Sequence, residues 1–206
     1  MQRPMRPRPL SGYFFEDYSL GQTFVHATPR TITQGDTSLY QALTGSRNPL
    51  HCSEPFAQSL GYPTMPVDDL LVFHVAFGKT VPDISYNALA NLGYAECRFV
   101  QPVFAADTLS AETEIIGLKQ NSNGKTGVVY VRSNCFNQRN ERVLTWVRWV
   151  MVHRRETITA NIDLMPKGQT KFAASLPPEA MPAPKLPSVA ACTLVNPGAR
   201  MWDDYE

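Results

Sequence analysis

The 206-residue sequence has no excess charge of either sign, no cysteine framework and no long apolar run, and each gap removes a class of function. Nineteen basic against eighteen acidic residues leave a net charge of +1, too little field to attract a polyanion, so nucleic acid is not an expected partner. The four cysteines, Cys52, Cys97, Cys135 and Cys192, form no Cys-x-x-Cys pair, so neither zinc nor disulfide stapling is indicated, no metal site is expected, and a reducing cytoplasm is the expected home. Residues 1–9 are basic and Pro-rich but lack the apolar segment of a secretory signal, and no stretch approaches the length of a membrane-spanning helix. A soluble protein with no membrane partner is expected, with residues 1–11 a disordered basic arm.

What is present has a clear order. A β-rich stretch over Thr23 to Thr33 precedes a short helix over Asp36 to Thr44, with Leu39, Tyr40 and Leu43 on one face. Phe56, Ala57 and Leu60 predict a further helical turn closed by Gly61. Pro66 to Lys79 carries helix punctuation: an early Pro, Asp68 and Asp69 in the first turn, and Gly78 and Lys79 at the close. Its apolar residues, Leu70 to Phe73 and Val75 to Phe77, surround the helix, which predicts that it is buried all round with His74 as a hydrogen-bonded core residue.

Strand patterns follow over Leu92 to Val103, Thr108 to Lys119, Thr126 to Asn137 and Arg142 to Arg154, with Asn-Gly at 123–124 as a hairpin turn. An antiparallel meander is the economical arrangement. A long antiparallel sheet curved around one apolar helix is an α+β fold of the hot-dog type, here expected over residues 12–156. Seven of the seventeen prolines lie after Met165, which predicts a linker over 157–200. The closing Trp202-Asp203-Asp204-Tyr205 echoes Phe15-Glu16-Asp17-Tyr18, either by chance or because residues 201–206 begin a second copy of the module.

The stretch Leu43 to His51 points to chemistry. It places an imidazole directly after Asn48-Pro49, a turn whose proline fixes its own φ, so His51 is held in a defined direction. An ordinary surface turn carrying a histidine is the plainer alternative. His26 and His153 have no supporting context.

Asp36, Tyr40, Leu43-Thr44-Gly45, Asn48-Pro49-Leu50-His51 and Arg98-Phe99-x-x-Pro102-Val103-x-x-x-Asp107-Thr108-Leu109 together resemble the MaoC-like hot-dog hydratases and dehydratases of acyl-CoA thioesters. Pro66 to His74 and Gly78 to Ser85 are similar to the branch of that family that interconverts mesaconyl-CoA and β-methylmalyl-CoA, which has two tandem modules. The resemblance implies that the chain is a first module plus linker, that it takes an acyl-CoA as substrate and that it uses no cofactor. It also implies that His51 acts on water and the thioester, while a backbone N–H at the start of the apolar helix, near Asp69 and Leu70, holds the thioester oxygen. Gly45, Arg47 and Asn48 are the matching substrate-side positions. Ser46 stands where the family motif carries a catalytic Asp, Ser53 where a second acid often follows, and Val67-Asp68-Asp69 where many relatives carry His-Gly.

These departures define two readings. Hydration of an enoyl thioester needs a base for water, an acid for the α-carbon and donors for the enolate-like oxygen. An imidazole with a pKa of about 6.5 suits the first role, whereas a serine hydroxyl orients water but neither gives nor takes its proton at neutral pH. Either Asp68 or Asp69 supplies the missing carboxylate and the chain is a hydratase, or the chain is an acyl-CoA-binding half that needs another module. Asp68 and Asp69 also fit as first-turn acids that complement the helix dipole. Arg47, Lys79, Arg98 and Lys125 are equivalent candidates for the CoA phosphates. An unpaired sheet edge predicts a homodimer.

Overall fold

The computed structural model describes residues 12–155 and 163–164, and within them the chain forms one antiparallel sheet with a long helix laid across it. The strands are β1 Thr23–Val25, β2 Arg30–Thr31, β3 Ala88–Phe99, β4 Thr108–Gln120, β5 Thr126–Phe136, β6 Arg142–His153 and β7 Asp163–Leu164. The main order is β1-β4-β5-β6-β3, with β2 and β7 also paired to β4. The β4–β5–β6 segment is the expected meander, with Gly124 at φ +67° in the first turn. β3 departs from it: instead of flanking β4 it crosses over to pair with β6 along Ala88↔Val152 to Phe99↔Leu144. That placement leaves room for the helix that precedes it in the chain.

Local chemistry sets the helix boundaries. In α1, Gln34–Thr44, the Thr33 hydroxyl accepts from the Asp36 N–H while the Asp36 carboxylate accepts from the Thr33 N–H, and Gly45 ends the helix in the left-handed region at φ +65°. α2, Pro49–Cys52, is capped by Asn48, and α3, Glu54–Ser59, by Ser53. α4 runs Asp69–Thr80 with Asp68 as its cap, so Pro66 and Val67 precede the helix; a π-helical turn, Val81–Ser85, continues it.

Leu71, Val72, Val75, Ala76 and Thr80 of α4 face the sheet and are buried. The first four join Ile32, Leu109, Leu144 and Trp146 in one core cluster, each large aliphatic contributing roughly 1.5–3 kcal/mol on burial. A second cluster, built from Phe15, Tyr18, Phe24, Ile84, Ile115 and Val150, fills the other end. Phe15 lies so close over Gly127 that a Cβ there would sit 2.3 Å from its ring.

The expectation that α4 is wrapped on every side is corrected. Leu70 is 56% exposed and His74 is exposed, because the sheet covers only one face and no described element covers the other. His74 is therefore not a core residue; it lies 6.2 Å from the Tyr40 ring. His26, without context in the sequence, is buried between Asp83 and Thr113, both at 2.7 Å, and Thr113 continues to Ser133 at 2.7 Å. Within the expected linker, Asp163–Leu164 pairs with β4. The basic arm, the rest of the linker and the Trp202 echo lie outside the described residues. No helix among the described residues is long and apolar enough to cross a membrane.

Candidate functional site

The turn before α2 does what its sequence suggests. Asn48 accepts from the Leu50 N–H at 3.1 Å, Pro49 occupies the first helical turn, and His51 is carried inward to 5% exposure. The Gln41 side chain on α1 donates to the His51 carbonyl and ties the two helices together. The His51 ring is anchored as well, with Nδ1 3.1 Å from the Pro66 carbonyl. A carbonyl only accepts, so Nδ1 is the donor in this bond and Nε2 is the ring nitrogen left for another partner.

The start of α4 closes the site. One carboxylate oxygen of Asp68 caps the helix by accepting from the Leu70 N–H at 2.9 Å, and the other accepts from the Ser46 hydroxyl at 2.7 Å. The serine at the family's acid position thus touches a buried carboxylate delivered by another element. Asp69 lies within electrostatic reach of His51. Loss of solvent around its carboxyl is the main influence and pushes its pKa up; Asp68 adds to the rise, and a positive charge on His51 opposes it. Burial, then the Asp68 charge, likewise raise the Tyr40 phenol. Cys97 on β3 borders the same corner, its thiol pushed up first by burial and then by Asp69.

Of the residues singled out from the sequence, His51, Ser46, Asp68 and Asp69 come together. The Leu70 N–H is at the site but already engaged by Asp68. Gly45 terminates α1 with open space around it, Asn48 serves as a cap, and Arg47 is exposed. Tyr40 and Cys97 were not expected in this role. Both are far from the turn's partners in sequence; the crossing of β3 brings in Cys97, and Tyr40 lies with its ring 6.2 Å from His74 on α4.

Residues 16–135 match the model of the MaoC-like domain. The chain is 53% identical to a β-methylmalyl-CoA dehydratase of Chloroflexus aurantiacus over 95% of this chain and 55% of the relative. It is 50% identical to a mesaconyl-CoA hydratase of Cereibacter sphaeroides over 95% of this chain and 52% of the relative. Among solved structures, a putative MaoC-domain dehydratase of C. aurantiacus superposes with a TM-score of 0.85 at 51% identity, covering 98% of this chain and 57% of that one. A Mycobacterium tuberculosis protein described as a double hot-dog fold gives 0.73 at 26% identity, covering 85% and 54%. The chain spans about half the length of the curated relatives it matches.

Proposed function

This chain belongs to the MaoC-like domain family and has its hot-dog fold, and from that premise we propose that it hydrates an enoyl-CoA thioester reversibly, mesaconyl-CoA to β-methylmalyl-CoA. The observation that carries the proposal is that the segment before α4 holds both parts, the Pro66 carbonyl on the His51 ring and, two residues on, the Asp68 carboxylate on the Ser46 hydroxyl. In this reading Nε2 of His51 takes the proton of the attacking water as its oxygen adds to the β-carbon. Asp68, held by Ser46 and by its capping bond, orients that water and balances the imidazolium. Asp69, whose pKa is raised chiefly by loss of solvent around its carboxyl, is the group proposed to donate to the α-carbon. The N–H groups of the first turn of α4 not engaged by Asp68 receive the thioester oxygen. The reaction moves water and protons only and calls on no cofactor. The names of the two curated relatives support the substrate assignment.

The test is loss of enoyl-thioester absorbance with the 206-residue chain, beside His51→Ala and Ser46→Asp. Wild-type turnover that falls by roughly 10²–10⁴-fold in His51→Ala supports the reading. No turnover by the wild type, with CoA-ester binding intact, favours the second reading that Ser46 raises, an acyl-CoA-binding half. Gain of activity in Ser46→Asp would support that second reading too.

The proposal includes a second hot-dog unit, supplied by another copy of the chain in the cytoplasm. β3 has a described neighbour on one side only, and it carries exposed Leu89, Leu92 and Tyr94. A sedimentation experiment at micromolar concentration should show a dimer that Leu92→Lys weakens; a stable wild-type monomer overturns this part.

A further inference from the structure

Beside α4, at the end away from His51, lies an open cleft of about 430 Å³ lined by Thr28, Arg30, His74, Gly78, Lys79 and Pro82. Two cations face it. Arg30 spends one guanidinium nitrogen on Asp36 at 2.6 Å and keeps its other donors. Lys79 is not among the ion pairs of the described residues; its ammonium donates to the Thr28 carbonyl, at a turn where Thr28 has φ +67°. Burial, and after it the charge of Arg30, hold the Lys79 pKa below its ordinary value. Two like charges held beside one cavity repel each other, a cost that an anion between them removes.

The cleft and the candidate site lie along the same helix: Asp68 and Asp69 stand at the start of α4, while His74, Gly78 and Lys79, further along it, line the cleft. From Asp69 to Lys79 the helix advances about 15 Å at 1.5 Å per residue. That is the scale of an extended pantetheine arm, which separates a thioester from its phosphates. The opposite side of α4 is aromatic: there Phe73 and Phe77 stack on each other, and Tyr94 meets Phe73 edge-on and Phe77 at a tilt.

We propose that Arg30 and Lys79 form the site for the phosphoanhydride of the coenzyme-A thioester, with His74 as a flanking donor. The proposal rests on the acyl-CoA reading and ranks one lysine among four cations that are equivalent in the sequence. It adds Arg30, which the sequence does not single out. A guanidinium and an ammonium share the load as their chemistries suggest: the first grips two phosphate oxygens, the second acts as a mobile point charge.

The test is calorimetric binding by the 206-residue chain of coenzyme A, dephospho-CoA and pantetheine, for wild type, Arg30→Met, Lys79→Met and the double variant. Coenzyme A and dephospho-CoA should bind tighter than pantetheine, because both keep the anhydride. Each single substitution should weaken CoA by about tenfold, and the double variant should bring CoA close to pantetheine. Raising salt should weaken CoA binding less in the variants than in the wild type. Lys79→Arg should restore most of the affinity. CoA binding unchanged in Arg30→Met and Lys79→Met overturns the proposal, as does an equal loss for pantetheine, or a wild type that does not bind CoA. Dephospho-CoA that binds no better than pantetheine would move the contact to the 3′-phosphate and overturn it as well. Failure of the hydratase reading looks different: wild type binds CoA through these residues but leaves mesaconyl-CoA unchanged.

Discussion

Asp68→Asn separates the two roles that Asp68 holds at once. As a cap, Asp68 uses one oxygen for the Leu70 N–H; as a proposed catalytic group, it offers charge to the site through the oxygen that Ser46 also touches. Asparagine caps helices about as well as aspartate, and its amide can donate to the Ser46 hydroxyl, which rotates to accept. What it loses is the negative charge, worth about 0.3–1 kcal/mol against the helix dipole. For a chain of this size that is a fall in Tm of about 1–4 °C. Removal of a general-base partner should cost far more in rate, roughly 10²–10⁴-fold in turnover of mesaconyl-CoA. Asp68→Ala should add the loss of the cap, about 1 kcal/mol, and lower Tm further. Thermal melts beside absorbance-based turnover read both effects on the same samples. If Asp68→Asn keeps wild-type turnover while Asp68→Ala melts early, Asp68 is a cap and nothing more, and the carboxylate of the reaction must be sought elsewhere.

Two other substitutions test the packing that holds this site. Gly127→Ala places a methyl group against the Phe15 ring, and since that ring is packed in a core cluster the change should destabilise the fold by about 1–3 kcal/mol, read by denaturant melts; an unchanged midpoint would mean the ring moves freely. Arg148 is fully buried against Phe77, with Nη2 on Thr80 but Nε and Nη1 without partners, and burial lowers its pKa to about 10. Its charge is therefore a burden below pH 10 that eases as the folded form loses its proton above it. Arg148→Met should be neutral or stabilising by about 1–4 kcal/mol at pH 7, with the advantage shrinking above pH 10; a clear loss of stability would show that ordered water satisfies those two nitrogens.

The sequence is most informative where structure is local. The Asn48-Pro49 turn that carries His51 and the Asn-Gly turn at Gly124 are legible because each rests on neighbouring residues, whereas the caps Thr33 and Asp68 are not: the first lies before the helix expected from Asp36 and the second was expected inside a first turn. β3 is the contrary case: its composition announces a strand but not its neighbour, and the meander fails there because helix α4 intervenes before it in the chain. The error about α4 is of another kind. An apolar circumference predicts complete burial, yet the described residues shelter only the face toward the sheet. Leu70 and, on β3, Leu89 and Leu92 are each exposed.

The acid at the candidate site carries the sharpest lesson. Reading along the chain, Ser46 looks like a lost catalytic aspartate, and nothing within several residues replaces it. In three dimensions the Ser46 hydroxyl is 2.7 Å from a carboxylate 22 residues further on. The cap of α4 is fixed in place by helix geometry, and α2 is anchored to the segment before that cap through His51 and Pro66. A carboxylate at the cap therefore meets the side chain at the motif's acid position, although the two belong to different elements. A residue missing from a motif is weak evidence of a dead site until the caps of neighbouring helices have been counted.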